Sequence, residues 1–353
     1  MNRLIIIGNG FDLAHGIKSS FKDFILSYLS YAINTFNGSH SYEDDLISIR
    51  LNSMSVYPRL QDADNENVLE LLKFISRNEY VDIVQSNFLI NILQDIENQK
   101  WVDLEVLYFK QLFRFKHISH TKELNLQFEC LRKHLIKYLS ENSKTNTHSL
   151  TLVESFTKSL NINNNQPHMS DALYFLNFNY TPTLDWYLNQ CEGNNPISLN
   201  YIHGSLCGKH GQPIFGYGDE LNTDYQELEK KEENEPLRFI KSFAYLQNQN
   251  YDHLMGFIES RSFEVHIYGH SCGLSDRTLL NTIFKHDHCR RIKIFYHEWE
   301  VKGVIENDFT TKIFNIARHF TNPKVFRKKV VNFKNCVPMP QPISELEKAT
   351  NPN

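Results

Sequence analysis

Several things are scarce in this chain of 353 residues, and each scarcity excludes something. Six cysteines (Cys130, Cys191, Cys207, Cys272, Cys289 and Cys336) stand apart, with no C-x-x-C pair among them. A structural zinc ribbon and a disulfide framework are therefore not expected, and a reducing compartment fits. No apolar run approaches the roughly 18 residues of a membrane span, so no contact with a membrane is expected. The first apolar run is too short for a signal peptide and has one Arg3 before it. It reads as a strand kept in a cytoplasmic protein. Basic residues are not in excess either: the net charge is −4, which speaks against an extended nucleic-acid footprint. No internal repeat is evident.

What is present begins at the N-terminus. Leu4-Ile5-Ile6-Ile7 reads as a strand buried on both faces, as in a parallel sheet. It ends at Gly8-Asn9-Gly10, with Phe11, Asp12 and then Gly16 following before an amphipathic segment. Glycines at such a place let the backbone turn tightly and approach a phosphate with no Cβ in the way. The opening therefore predicts a nucleotide-binding strand–loop–helix.

Residues from about 17 to 160 read as mostly helical. The stripes are Phe21/Phe24/Ile25/Tyr28/Leu29, Val68/Leu71/Leu72/Ile75, Val84/Phe88/Ile92/Leu93/Ile96, Leu104/Leu107/Tyr108/Leu112/Phe115 and Leu131/Leu135/Ile136/Leu139. Asn52–Asn67, with Pro58, reads as a loop, and Asn161–Gln166 as a linker. From residue 171 the pattern changes. Strands are expected at 172–179, 199–202, 213–215, 264–268 and 292–296, with helices at about 183–190, 236–261 and 275–286. Lys328-Lys329 reads as part of an edge strand guarded by charge. Strands alternating with helices predict an α/β fold with a parallel sheet, joined by the N-terminal strand across a long helical insertion.

Four apolar strands end in Gly, Asn or His: Gly8-Asn9-Gly10, Asn177-Phe178-Asn179-Tyr180-Thr181, His203-Gly204-Ser205 and Gly269-His270-Ser271. Ligands of open α/β sheets bind outside the carboxyl ends of strands, so these turns are expected to converge on one crevice. Each has a plain structural alternative. Asn179 would also suit the cap of a helix starting near Pro182, and His203 a hydrogen-bonded turn. His270 and Ser271 compete with Ser275 and Asp276 to start the next helix. Trp101, Asp103 and Glu105 read as a helix start, or as a cover for the crevice. His286-Asp287-His288-Cys289 carries metal-capable groups, but neighbouring ligands at a helix end rarely converge, and no metal site is assigned.

The usual dinucleotide fingerprint is not met, since Leu13 occupies its third glycine position and no acidic residue ends a strand near residue 30. The spacing Gly8-Asn9-Gly10-Phe11-Asp12-Leu13-Ala14-His15-Gly16-Ile17 instead resembles the sirtuin glycine motif. The Asn179 turn, Tyr201-Ile202-His203-Gly204-Ser205-Leu206, Gly216-Tyr217-Gly218-Asp219-Glu220 and Gly269-His270-Ser271 resemble the later sirtuin motifs, in order. The chain as a whole, from residue 1 to about 300, resembles the bacteriophage abortive-infection AbiH family. That likeness rests on Ile6-Ile7-Gly8-Asn9-Gly10-Phe11-Asp12-Leu13-Ala14-His15-Gly16, Trp101 to Glu105, Phe178 to Thr181, Ile202 to Gly204 and Tyr268 to Ser271.

The resemblance implies a sirtuin-like, Rossmann-type α/β domain formed by residues 1–20 and 171–335. It also implies a mostly helical insertion at 21–170 and a flexible C-terminal tail at 336–353. It further implies phage defence. The four-cysteine zinc module of sirtuin deacetylases is missing and Thr181 replaces their Asp, so the resemblance runs to sirtuin-like NAD+ hydrolases instead. Asn179 and His203 would then be catalytic, and Gly8, Asn9, Gly10, Phe11, Asp12, Gly16, Gly204, Gly269, His270 and Ser271 would hold the nucleotide. NAD+ would be substrate, with no true cofactor and no metal. Such an activity would harm its host unchecked, so a homo-oligomeric resting assembly, a phage-derived trigger or a regulatory protein is expected. Two other functions stay open: a nucleotide sensor for NAD+ or an ADP-ribose derivative without turnover, and a nucleic-acid-directed toxin.

Overall fold

The computed structural model describes residues 1–52, 60–94, 96, 101–114, 118–143, 150–160, 172–188 and 196–341. Its strands are β1 (Asn2–Ile7), β2 (Ser41–Glu43), β3 (Ile47–Leu51), β4 (Val81–Gln85), β5 (Leu173–Asn177), β6 (Ile197–Tyr201), β7 (Phe263–Tyr268), β8 (Cys289–Tyr296), β9 (Glu298–Val301), β10 (Val304–Asn307) and β11 (Val337–Pro338). The chain divides into two compact units. One comprises Met1–Ile17, Asn142–Asn222 and Ile240–Asn353, the other Lys18–Glu141 and Thr223–Phe239.

The first unit is built on a six-stranded sheet in the order β11-β8-β7-β1-β5-β6, every pair of which is parallel. The apolar run Leu4–Ile7 occupies its centre, fully buried. Side chains of a strand alternate between faces, and here the alternation divides two cores. Leu4 and Ile6 join Tyr174, Leu176, Val265, Ile267, Ile292 and Ile294 on one face, with Leu254, Ile258, Leu280, Ile283 and Ile316 from covering helices. Ile5 and Ile7 join Leu173, Phe175 and Tyr268 on the other, with Phe11, Phe156, Leu184 and Tyr187. Each face buried by helices is what a continuous apolar strand requires. From β1 the chain adds β5 and β6 on one side, then crosses to add β7 and β8 on the other. The order reverses between β1 and β7.

The second unit carries a three-stranded antiparallel sheet in the order β2-β3-β4, with the helices Phe21–Ser39, Val68–Ser76, Asn87–Leu93, Trp101–Arg114 and Ile118–Asn142. Ser20 starts the first of these, its hydroxyl accepting from the Asp23 N–H. Trp101 opens its own helix, donates its indole N–H to the Ser19 carbonyl and stacks on Phe24 at 5.6 Å. Tyr108 donates to Asn125, whose amide donates to Glu235. Among the described residues no helix is long and apolar enough to cross a membrane.

Several local expectations are corrected. Val84 belongs to β4 and not to a helical stripe, because Ser86 caps a helix that begins only at Asn87. The segment 213–215 is not a strand; the Ile214 N–H donates instead to the His203 carbonyl. The helix expected over 236–261 is broken into a 3-10 turn at Glu235–Leu237 and helices Lys241–Tyr245 and Asn250–Ser260. Ile240 is extended there, and the Asn248 side chain accepts from the Asn250 N–H in the next break. Lys328 and Lys329 end the helix Pro323–Lys329, which Asn322 caps and Pro323 opens, so they form no edge strand. Within the stretch read as a tail, Val337 and Pro338 pair with β8, and residues 342–353 lie outside the described residues. Asn161–Gln166 lies outside the described residues.

Candidate functional site

The four strand ends are brought together. Gly8 donates its N–H to the Tyr268 carbonyl and Gly10 to that of Gly269, joining the turns after β1 and β7 at the point where strand order reverses. A Cβ on Gly8 would lie 2.5 Å from the His270 Cα, and one on Gly10 2.7 Å from the Gly269 Cα. Gly269 has φ +67 and would place a Cβ 2.3 Å from the Phe11 nitrogen. The close approach that these glycines permit is therefore between two turns of the same chain. Gly16 differs: its φ is +75, and open space surrounds it. Gly269→Ala is thus expected to cost several-fold more stability than Gly16→Ala, for which the left-handed backbone alone costs about 1–2 kcal/mol. Denaturant unfolding of the two variants side by side checks this.

The Phe178 N–H donates to the Ile7 carbonyl, and the Ile202 N–H to that of Asn177, which carries the join across β5 and β6. Asn179 donates its amide to the Gly8 carbonyl at 3.1 Å, and its own N–H is accepted by the Asn177 side chain. Phe11 is buried against Phe156 and Tyr187. Asn9 opens the helix Asn9–Ala14, the Ser271 carbonyl accepts from Asn315, and Gly204, at φ +75, turns the chain against the Gln212 carbonyl.

Asp12 is buried beside these turns. Thr183 donates to Thr181, which donates to Asp12 Oδ2 at 2.6 Å. Asp12 Oδ1 meets no donor in bonding geometry among the described residues, although the Thr183 and Asn179 side chains also face the carboxylate. Burial pushes its pKa up from 3.8 to about 6 against those hydrogen bonds. A carboxyl raised in the folded state stabilises most below its unfolded pKa, and that contribution is lost as pH rises through 6. Wild type should lose up to about 3 kcal/mol from this source between pH 4 and pH 7. Asp12→Asn should flatten that part of the stability–pH curve, as denaturant titrations at several pH values would read.

At the ends of β6 and β7 lies a cluster of buried ionisable groups. Asp276 is its hub. Lys241 Nζ lies 2.7 Å from Asp276 Oδ1, His203 Nε2 lies 3.3 Å from the same oxygen, and His270 Nε2 lies 3.7 Å from Oδ2. His203 Nε2 is also 3.1 Å from the Tyr245 hydroxyl. The Phe178 ring contacts both imidazoles, with centroids 5.0 Å from His203 and 4.3 Å from His270. His270 Nδ1 accepts from the Cys272 N–H, and the His270 carbonyl accepts from Lys312.

Burial would push the Asp276 carboxyl up, but the Lys241 ammonium and the facing imidazoles outweigh it and hold it well below the usual carboxylate range. Burial, together with the charge of Lys241, lowers His203. His270 falls to about 3, chiefly through burial. At neutral pH the cluster therefore holds a carboxylate, an ammonium and two neutral imidazoles. The His270 Nδ1 lone pair is already taken by the Cys272 N–H, so His203 is the imidazole whose protonation the neighbouring Asp276 carboxylate favours against burial.

Sequence reasoning found His203 and His270 but missed Lys241 and Tyr245, and weighed Asp276 only as a helix cap. Asp276 does precede the helix Arg277–Lys285, yet its side chain makes no capping bond and turns to Lys241. The available signal was Lys241 itself, a lone cation in the apolar stretch Ile240 to Tyr245. The Gly216–Glu220 segment is anchored beside the cluster: the Tyr217 carbonyl accepts from the Lys241 N–H, and Asp219 pairs with Arg277 at 3.1 Å. In the His286–His288 cluster, His286 accepts from the His288 N–H within the turn, while the His288 ring lies against the Ile258 carbonyl of the helix Asn250–Ser260.

Fold and site together define an α/β protein with a parallel sheet and a buried His/Asp/Lys cluster at the carboxyl ends of its strands. The family model for bacteriophage abortive infection AbiH matches residues 4–298, and the chain belongs to that family. Membership points to a role in phage abortive infection. No curated protein matches the chain.

Proposed function

We propose that the chain is an abortive-infection effector that hydrolyses NAD+ at the nicotinamide–ribose bond in the cytoplasm. One observation carries this reading: a neutral imidazole, His203, sits on Asp276 and Tyr245 where the turns of four parallel strands meet. Two others support it. The strand order reverses at β1 and β7, as in doubly wound sheets that bind dinucleotides at their switch point. The turns at Gly8–Gly10, Asn177–Asn179 and Gly269, which carry part of the sirtuin-like spacing, are hydrogen-bonded to one another beside that point.

The chemistry asks little of the protein beyond placement. Nicotinamide leaves the cationic dinucleotide as a neutral ring, taking the electron pair of the C–N bond and needing no general acid. Water adds to the oxocarbenium-like ribose, and its proton passes to His203 and then to solvent. The products are nicotinamide, ADP-ribose and one proton. Asp276 stabilises the imidazolium formed in that step, and Lys241 holds Asp276 ionised. Asn179, Gly8 and Gly10 would line the ribose side. Control by a phage-derived trigger, a regulatory protein or self-association completes the proposal.

A nucleotide sensor without turnover is the second reading, favoured by one fact: the Asn179 amide is already committed to the Gly8 carbonyl. Mass spectrometry of the purified chain with NAD+, alone and with extract of phage-infected cells, separates the two. Nicotinamide and ADP-ribose are expected. Binding without either product would establish the sensor instead, and neither binding nor product would sink both readings.

A further inference from the structure

The second unit holds a group of side chains that the nucleotide reading does not use. Asp44 stands in the turn between β2 and β3, while Cys130 and His134 stand four residues apart on the helix Ile118–Asn142. That spacing puts both on one helical face. One donor atom from each of the three lies within 4.8 Å of the others. We propose that Asp44, Cys130 and His134 bind a zinc ion.

The His134–Asp44 distance and the donor chemistry both suit zinc, and Cys130 lies close enough to join them. Zinc bonds of about 2.0–2.3 Å in a tetrahedron set donor atoms roughly 3.3–3.8 Å apart. His134 Nε2 lies 3.5 Å from Asp44 Oδ2. A thiolate, an imidazole and a carboxylate together suit zinc, whereas magnesium and calcium prefer oxygen alone. Cys130 is a free thiol and is buried. The side chains of His134 and Asp44 are 23% and 14% exposed, which leaves an ion a way in and a place for water as fourth ligand.

The surroundings hold these ligands in position. Asp44 Oδ1 accepts from the N–H groups of Leu46 and Ile47, Oδ2 accepts from the Tyr42 hydroxyl, and the Tyr28 hydroxyl reaches both oxygens. The His134 ring meets Tyr28 edge-on at 4.9 Å and Tyr31 at 5.9 Å. Outer hydrogen bonds and packed rings of this kind orient metal ligands before the metal arrives. Binding deprotonates Cys130, forming the sulfur–zinc bond and releasing one proton to solvent. The ion would clip the β2–β3 hairpin to the helix Ile118–Asn142.

The test uses the full chain stripped with chelator, then titrated with zinc and separately with cobalt(II). One zinc per chain by elemental analysis is expected, with a thiolate-to-cobalt charge-transfer band and a higher melting temperature in zinc. Cys130→Ser should abolish the band and weaken zinc binding by at least tenfold. His134→Gln should weaken binding similarly, and the exposed His253→Gln should change neither reading. Circular dichroism of each variant in chelator confirms folding independently of metal. Failure of the wild type to bind zinc, or equal binding by folded Cys130→Ser, would overturn the proposal. Neither result bears on NAD+ turnover.

Discussion

Asp276→Ala is expected to destabilise the first unit by about 3–5 kcal/mol, the cost of leaving a buried cation without its counter-ion. Lys241 would be that cation: its side chain is 1% exposed and lies 2.7 Å from Asp276 Oδ1. The effect exceeds that of an ordinary surface ion pair because water cannot replace the lost partner. Removing both charges tests the cause. Lys241→Met with Asp276→Leu should recover most of the loss, since a buried pair exchanged for apolar residues is often neutral. Denaturant melts of the wild type, the single variant and the double variant give the coupling directly. Acid should reproduce the single variant. Because the Asp276 carboxyl is held low in the folded state, its contribution is present at neutral pH and falls away only below the usual carboxylate range.

His203→Ala is expected to slow NAD+ hydrolysis by ~10²–10⁴-fold, the usual worth of acid–base help. The chain should remain folded, because Asp276 keeps Lys241 as partner. Cellular NAD+ after induction, with and without phage challenge, reads the consequence. A fall confined to wild type, absent from His203→Ala and Asn179→Ala, is the expected pattern. Per folded molecule, removing both His203 and Asp276, with Lys241→Met to spare the buried cation, should then cost little more activity than His203 alone, as for residues that act as a unit. An unchanged NAD+ level in cells arrested by the wild type would move the activity to another nucleotide or to nucleic acid.

How much of this was legible in the sequence depended on distance along the chain. Leu4–Ile7, Leu173–Leu176 and Val265–Tyr268 declared themselves as buried strands, because apolar runs bounded by Gly, Asn or His have few alternatives. Their polar ends could be placed at one edge of a parallel sheet by a general rule of α/β topology. The region around Lys241 failed for a local reason: Ile240, Pro236 and the Asn248–Asn250 turn break a segment whose apolar spacing reads as one helix. The Lys241–Asp276 pair failed for another. Neither residue carries a local sign of the other, and an Asp before a helix already has a sufficient explanation as a cap. Asp44 with Cys130 and His134 is the same case, since the hairpin and the helix meet only in three dimensions.

The mutual seating of Gly8, Gly10 and Gly269 has a consequence in time. β1 is made well before its neighbours β5 and β7. β7 and the Gly269 turn come more than 250 residues after β1. Pairings of such long sequence separation form late. Until β5 and then β7 are made, Leu4–Ile7 is therefore an apolar segment without its full set of partners, the kind of surface that chaperones guard. His203, Asp276 and His270 meet only when the last of these turns closes. A fragment ending before Asp276 thus lacks the assembled cluster, because His203 and His270 then have no carboxylate to face.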